Sequence, residues 1–127
     1  MRTLPYPGTW RVAFTHPADG KKFDISASVP GNVAVDMMRE NIIPDLYMGA
    51  NALGAQEWER TDFTYTSEFI APELAAGERL EMVFEGIDTV ADITINGTAI
   101  TSVENMFIPH AFDLTGNIHP GANSLTV

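Results

Sequence analysis

Along most of this chain apolar and polar residues alternate with a period of two, the signature of strands with one wet face. Trp10, Val12 and Phe14 fall on one face. Phe23, Ile25, Ala27 and Val29 alternate with Asp24, Ser26 and Ser28, and Phe63, Tyr65 and Phe69 with Thr64, Thr66 and Glu68. Leu80, Met82 and Phe84 interleave with Glu81 and Val83, and Ala91, Ile93 and Ile95 with Asp92 and Thr94. Asn96-Gly97 suits a type I′ hairpin turn, whose two central residues need positive φ, and it predicts a return strand over Thr98–Thr101. Gly20, Gly77 and Pro120-Gly121 mark further turns. Ser124–Val127 opens another alternating strand, with Leu125 and Val127 on one face.

One segment departs from this rhythm. Asn32 is placed to cap a short helix over Val33–Glu40, with Asp36 near its positive end. Ala34, Met38 and Ile42, with Val33 and Met37, form an apolar stripe at helical spacing, and Pro44 stops its continuation. Residues 44–60 show no clean period, and connections that long are usually functional or packed as ordered loops. Eight or so short strands and one small helix predict an all-β fold, a β-sandwich. Because the pattern breaks off inside a strand, the expectation is a sandwich cut short at its C-terminal end.

Composition sets bounds. The 127 residues suffice for one domain, 1–127, with a folded surface of roughly 6,700 Å². A net charge of −10, with no basic run to offset it, argues against nucleic acid and anionic membranes as partners. No apolar run approaches the ~20 residues of a membrane span. Without cysteine there is no disulfide, thiolate metal site or thiol nucleophile. The first ten residues contain no apolar core of a signal peptide, which favours the cytoplasm while leaving the compartment open.

Little in the chain suggests chemistry. His16, His110 and His119 lack metal-ligand spacing and are expected to be solvated loop histidines. No nucleophile elbow, phosphate loop or metalloprotease pattern occurs, so no cofactor or metal is expected. Glu81, Glu85 and Asp92 fit the solvated faces of strands, and no catalytic dyad is assignable. Asn96-Gly97-Thr98 has the form of an N-glycosylation acceptor, but the hairpin turn accounts for it. Trp10, on an alternating strand, reads as core. Trp58, in the irregular segment, serves equally as core or as a platform for a sugar ring. Asn51 and Asn105 are turn formers that could also bond sugar hydroxyls. The candidate ligand residues are therefore Trp58, Asn51 and Asn105.

Several segments in order resemble one family. Val29-Pro30-Gly31-Asn32-Val33, followed by Asp36-Met37-Met38 and Ile42-Ile43-Pro44-Asp45, is similar to the opening of β-mannosidase-type glycoside hydrolases of family 2. Tyr47-Met48-Gly49-Ala50-Asn51, Glu57-Trp58 and Asp62-Phe63-Thr64-Tyr65 resemble its next stretches. Phe84-Glu85-Gly86-Ile87-Asp88-Thr89-Val90-Ala91 with Ile95-Asn96-Gly97 resembles its "F-GLDT-A" and "NG" pattern. Asn105-Met106-Phe107, His110, Phe112-Asp113-Leu114 and Gly121-Ala122-Asn123-Ser124-Leu125 complete the series.

The resemblance implies a jelly-roll, galactose-binding-like β-sandwich, the N-terminal sugar-binding domain of a larger enzyme. In that family a retaining pair of glutamates lies in a separate barrel domain. The chain alone is then expected to be non-catalytic, shaping one rim of the substrate pocket. Its expected partners are carbohydrate, held weakly in isolation, the catalytic domain of the parent, and a second copy through self-association. A free-standing carbohydrate-binding module and a structural interaction domain are the alternatives. The family's Trp-Asp-Trp-Gly contact is absent, and Phe63-Thr64 replaces two aromatics, so the substrate stays open among mannoside, galactoside and glucuronide.

Overall fold

A computed structural model describes residues 1–127. Eight strands carry the architecture: β1 (Thr9–Thr15), β2 (Lys22–Ala27), β3 (Thr64–Ile70), β4 (Glu81–Phe84), β5 (Ala91–Ile95), β6 (Thr98–Val103), β7 (His110–Asp113) and β8 (Ala122–Thr126). Between β2 and β3 lie helices α1 (Val33–Arg39) and α2 (Asn51–Gly54) and a 3₁₀ turn, Ala55–Trp58. The chain forms two compact units, Thr9–Tyr65 and Met1–Gly8 with Thr66–Val127. No helix is long and apolar enough to cross a membrane.

In the unit Thr9–Tyr65, β1 and β2 pair antiparallel from Trp10↔Ala27 to Thr15↔Lys22. Alternation buries Trp10, Val12 and Phe14 and half-buries Phe23, Ile25 and Ala27. Val12 and Phe14 join Met37, Ile43 and Trp58 in one core, against which Ile25, Ala34 and Met38 pack. Each such side chain contributes roughly 1.5–3 kcal/mol by leaving water, so α1 is held by its apolar stripe more than by its seven-residue length. The Asn32 side chain accepts from the Ala34 N–H at 2.7 Å and satisfies one orphan donor of α1. β2 ends at Ala27, ahead of Pro30, which has no N–H to continue a ladder, and Val29 is left exposed.

In the other unit, β8 pairs antiparallel with β3 (Thr66↔Thr126 to Ile70↔Ala122) and with β5 (Thr94↔Thr126, Ile95↔Leu125). β6 extends this sheet beyond β5, with a register shift between Ile93 and Thr94. β4 and β7 form a second, two-stranded sheet, Glu81↔Asp113 to Phe84↔His110. Phe69, Ile93, Ile95, Val103, Leu114 and Leu125 are buried. Asn96 and Gly97 take φ of 50° and 81°, the positive pair that the predicted hairpin requires.

The all-β expectation holds, with one adjustment. A single helix was expected, whereas residues 44–60 also supply α2 and the 3₁₀ turn. Neither has a side-chain cap, and α2 buries no residue, so neither cap nor stripe announces them.

Candidate functional site

Within the unit Met1–Gly8 with Thr66–Val127, the loops 85–90 and 104–109 come together. The Asn105 side chain accepts from the Phe107 N–H at 2.9 Å, closing an Asx turn, while its carbonyl accepts from His110 Nε2 at 2.7 Å. His110 is thus half-buried at the start of β7 and bridges to the loop, rather than standing free in water. Thr89 Oγ1 lies 3.8 Å from Met106 Sδ, linking the two loops. Phe107 is held outward at 85% exposure, and Val90 is exposed at 79%. Beside them runs an open groove of about 480 Å³, whose lining includes Val103, Glu104, Asn105, Ile108, His110 and Phe112. Glu104 is its one carboxylate.

The second candidate region is the segment 44–60 of the unit Thr9–Tyr65. Asp45 Oδ1 accepts from the Tyr47 N–H at 2.9 Å, and Asn51 Nδ2 donates to the Asp45 carbonyl at 2.8 Å, so Asn51 ties α2 to the turn before it. Tyr47, Met48 and Leu53 are exposed around it. Trp58 is 8% exposed. Its indole meets Phe14 at 5.6 Å and His16 at 4.7 Å, both edge-on, with Phe23 at 6.3 Å. Of the two roles open to it from sequence, this placement serves the core, since stacking on a sugar needs an accessible ring face.

His16 also departs from the expected solvated histidine. Its Nδ1 accepts from the N–H groups of Ala18 and Asp19 at 3.1 and 3.4 Å, its Nε2 sits 3.7 Å from Glu57 Oε1, and its ring covers Trp58. His119 is exposed, as expected. Asn51 and Trp58 share one unit while Asn105 belongs to the other, and no hydrogen bond or ring contact joins any two of the three.

Two polar networks escaped the period-two reading. The Asp36 carboxylate, 1% exposed, accepts from the Ser28 N–H at 3.3 Å and from Arg39 Nη1 at 3.0 Å. Arg39 also donates to the Ser26 carbonyl, so one ion pair fastens α1 to the end of β2. Its spacing of three residues on α1 was the available signal. In the other unit, the buried Asn123 amide meets Asn96 behind the β5–β6 turn. Asn96 Nδ2 donates to Asn123 Oδ1 and to the Asn117 carbonyl, which gives the acceptor-like Asn96-Gly97-Thr98 a structural use.

Burial raises the pKa of Tyr65, and the Asp36 carboxylate raises it further. Tyr6 is likewise raised by burial, partly countered by its hydrogen bond to Ser67 at 2.8 Å. Hydrogen bonds from Thr115 lower that of Asp113, with Arg79 adding to the effect. No group of three or more His, Asp or Glu residues is arranged to hold a metal ion.

Comparison with known proteins places this arrangement. Residues 10–127 match the family described as the glycosyl hydrolase 2 galactose-binding domain-like domain. A β-mannosidase B from Thermothelomyces thermophilus is 32% identical over 124 residues, which make up 98% of this chain and 14% of that relative's length. The β-mannosidase of Mus musculus is 33% identical over 119 residues, 93% of this chain and 13% of its own. The crystal structure of a β-D-mannosidase from Dictyoglomus thermophilum superposes with a TM-score of 0.79 at 31% identity, covering 99% of this chain and 15% of that one. The chain therefore spans about a seventh of the length of such relatives. Sequence, fold and the order of its loops agree: the chain belongs to the galactose-binding-like domain family of glycosyl hydrolase 2 enzymes.

Proposed function

We propose that residues 1–127 are the non-catalytic N-terminal domain of a β-mannosidase-type glycoside hydrolase that acts with retention of configuration, and that this domain forms one rim of the substrate pocket. The observation that carries the reading is the alignment of 98% of this chain with only 14% of a β-mannosidase. The groove supports it, because it offers the single carboxylate Glu104, whereas retaining hydrolysis needs two carboxyl groups roughly 5 Å apart. Asn105, with its side-chain oxygen engaged by Phe107, has its Nδ2 available for a sugar hydroxyl, and Asn51 has its Oδ1 available. Trp58 acts in this scheme by anchoring the 3₁₀ turn that follows α2 in the core with Val12, Phe14 and Met37. The exposed apolar tips, Phe107, Val90, Tyr47 and Met48, are covered by the catalytic domain in the parent and promote self-association in its absence.

The test is an assay of the purified chain with nitrophenyl β-mannoside, β-galactoside and β-glucuronide. No turnover above buffer is expected. Turnover that survives repeated purification would overturn the reading. In the full-length enzyme, Asn105→Ala and Asn51→Ala should each reduce kcat/KM on the true substrate by about tenfold, a loss of roughly 1.4 kcal/mol of transition-state stabilisation. Unchanged kinetics in both variants would remove them from the pocket rim.

A further inference from the structure

Asn96-Gly97 is the single Asn-Gly step in the sequence. At such a step the glycine nitrogen, unhindered by any side chain, can attack the asparagine Cγ. The N–Cγ bond forms, the Cγ–Nδ2 bond breaks, and ammonia leaves carrying the glycine amide proton. Water then opens the resulting succinimide to aspartate or isoaspartate. In an unstructured chain only local flexibility limits this reaction.

Here both ends of the reacting amide are held. Asn96 Nδ2, the leaving group, donates to the Asn117 carbonyl at 2.9 Å and to Asn123 Oδ1 at 2.8 Å. Asn96 Oδ1 accepts from the Ser124 N–H at 2.8 Å, and the Asn96 N–H donates to the Ser124 carbonyl at 2.8 Å. Asn123 is itself fixed: 1% exposed, it donates to the His119 and Gly121 carbonyls at 2.9 and 3.1 Å and accepts from the His119 N–H at 3.0 Å. Turning Asn96 Cγ toward Gly97 N breaks three side-chain hydrogen bonds at once. The product fits badly too. An aspartate would set one carboxylate oxygen against Asn117 O and Asn123 Oδ1, acceptors facing an acceptor with no donor between them, which is unfavourable. Isoaspartate would add a backbone atom to a two-residue turn whose register is Ile95↔Thr98.

We propose that Asn96 is a conformationally gated modification site: water converts it to aspartate or isoaspartate only when the Asn96–Asn123 clamp opens, and the product opposes reclosure. The rate of conversion then reports opening of this end of the sheet, since a reaction confined to the open state is slowed by the closed population.

The test is peptide mapping by mass spectrometry after incubation at mildly alkaline pH. It uses the polypeptide that carries this chain, folded as judged by near-ultraviolet tryptophan dichroism, against the same polypeptide in denaturant. Conversion at Asn96 is expected to be slower in the folded sample by about tenfold or more. Equal rates, with the tryptophan signal intact, would overturn the proposal. Asn123→Ala should move the folded-state rate toward the denatured one, and a folded Asn123→Ala protein that reacts no faster would equally overturn it. Should that variant fail to fold, the comparison on the unaltered sequence still decides.

Discussion

Trp58 divides its two sequence readings by a simple measurement. Its indole is enclosed by Phe14, Phe23 and His16, so truncation opens a cavity that its neighbours only partly fill. Trp58→Ala should cost about 3–5 kcal/mol in urea unfolding of the chain; a change under about 1 kcal/mol would mean that the ring is not core. Asp36 is a second sharp case. Without its carboxylate the Ser28 N–H loses its acceptor, and Asp36→Ala should destabilise by about 2 kcal/mol. Most of that cost belongs to the lost acceptor rather than to the Arg39 pair, since the Arg39 side chain is 43% exposed. The tyrosines give a pH dependence with a definite sign. Tyr6 and Tyr65 both have a folded pKa raised above the ordinary 10.0, so the folded state holds their protons more tightly. Their contribution is complete below pH 10.0 and falls as pH rises toward the folded values. Alkaline denaturation followed by circular dichroism should set in at higher pH in the double variant Tyr6→Phe, Tyr65→Phe.

At the scale of elements, α1 depends on its cap. Asn32→Ala removes the acceptor of the Ala34 N–H and should lower stability by about 1 kcal/mol, read as a shift of the urea midpoint. α1 and the β5–β6 hairpin were legible because each rests on local rules: a cap with an apolar stripe, and a dipeptide that tolerates positive φ. The strands were legible because alternation maps directly onto burial, as in β1, where Trp10, Val12 and Phe14 are all buried. The same rule hid Asn123 and Ser67, which occupy inward positions of β8 and β3 although polar. Their burial depends on partners distant in sequence, Asn96 and Tyr6, which no local pattern reveals. α2 and the 3₁₀ turn were illegible for lack of caps, and the enclosure of Trp58 because strands on the far side of the segment supply its neighbours. Of the candidate residues, sequence marked Asn51 and Asn105 as turn formers but not the particular hydrogen bonds that engage them.

Across the whole chain, each unit carries exposed apolar tips, Tyr47 in Thr9–Tyr65 and Phe107 in the other. A charge of −10 opposes association, but at physiological salt its reach is only about 8 Å. Light scattering at about 100 μM should therefore show species larger than the monomer, and Phe107→Ser should shift the distribution toward the monomer. Under the proposed function, the isolated chain should bind any monosaccharide no tighter than about 1 mM by calorimetry, roughly −4 kcal/mol. Micromolar binding would favour a free-standing module instead.

The place of β8 has a consequence for the order of events during synthesis. β3 and β5 both take β8 as a neighbour, although β8 is synthesised after both of them. β1, β2 and α1 are close in sequence and can assemble while the rest is still being made. The ladder between β3, complete at Ile70, and β8 cannot form until Ala122–Thr126 have been made. The edge of β3 that β8 will occupy and the apolar Phe69 are meanwhile open to chaperones or to neighbouring nascent chains. A nascent chain whose emerged part stops short of residue 122 should thus display a protease-resistant β1–β2 hairpin and a protease-sensitive β3, and emergence of Ala122–Thr126 from the tunnel should close both ladders together.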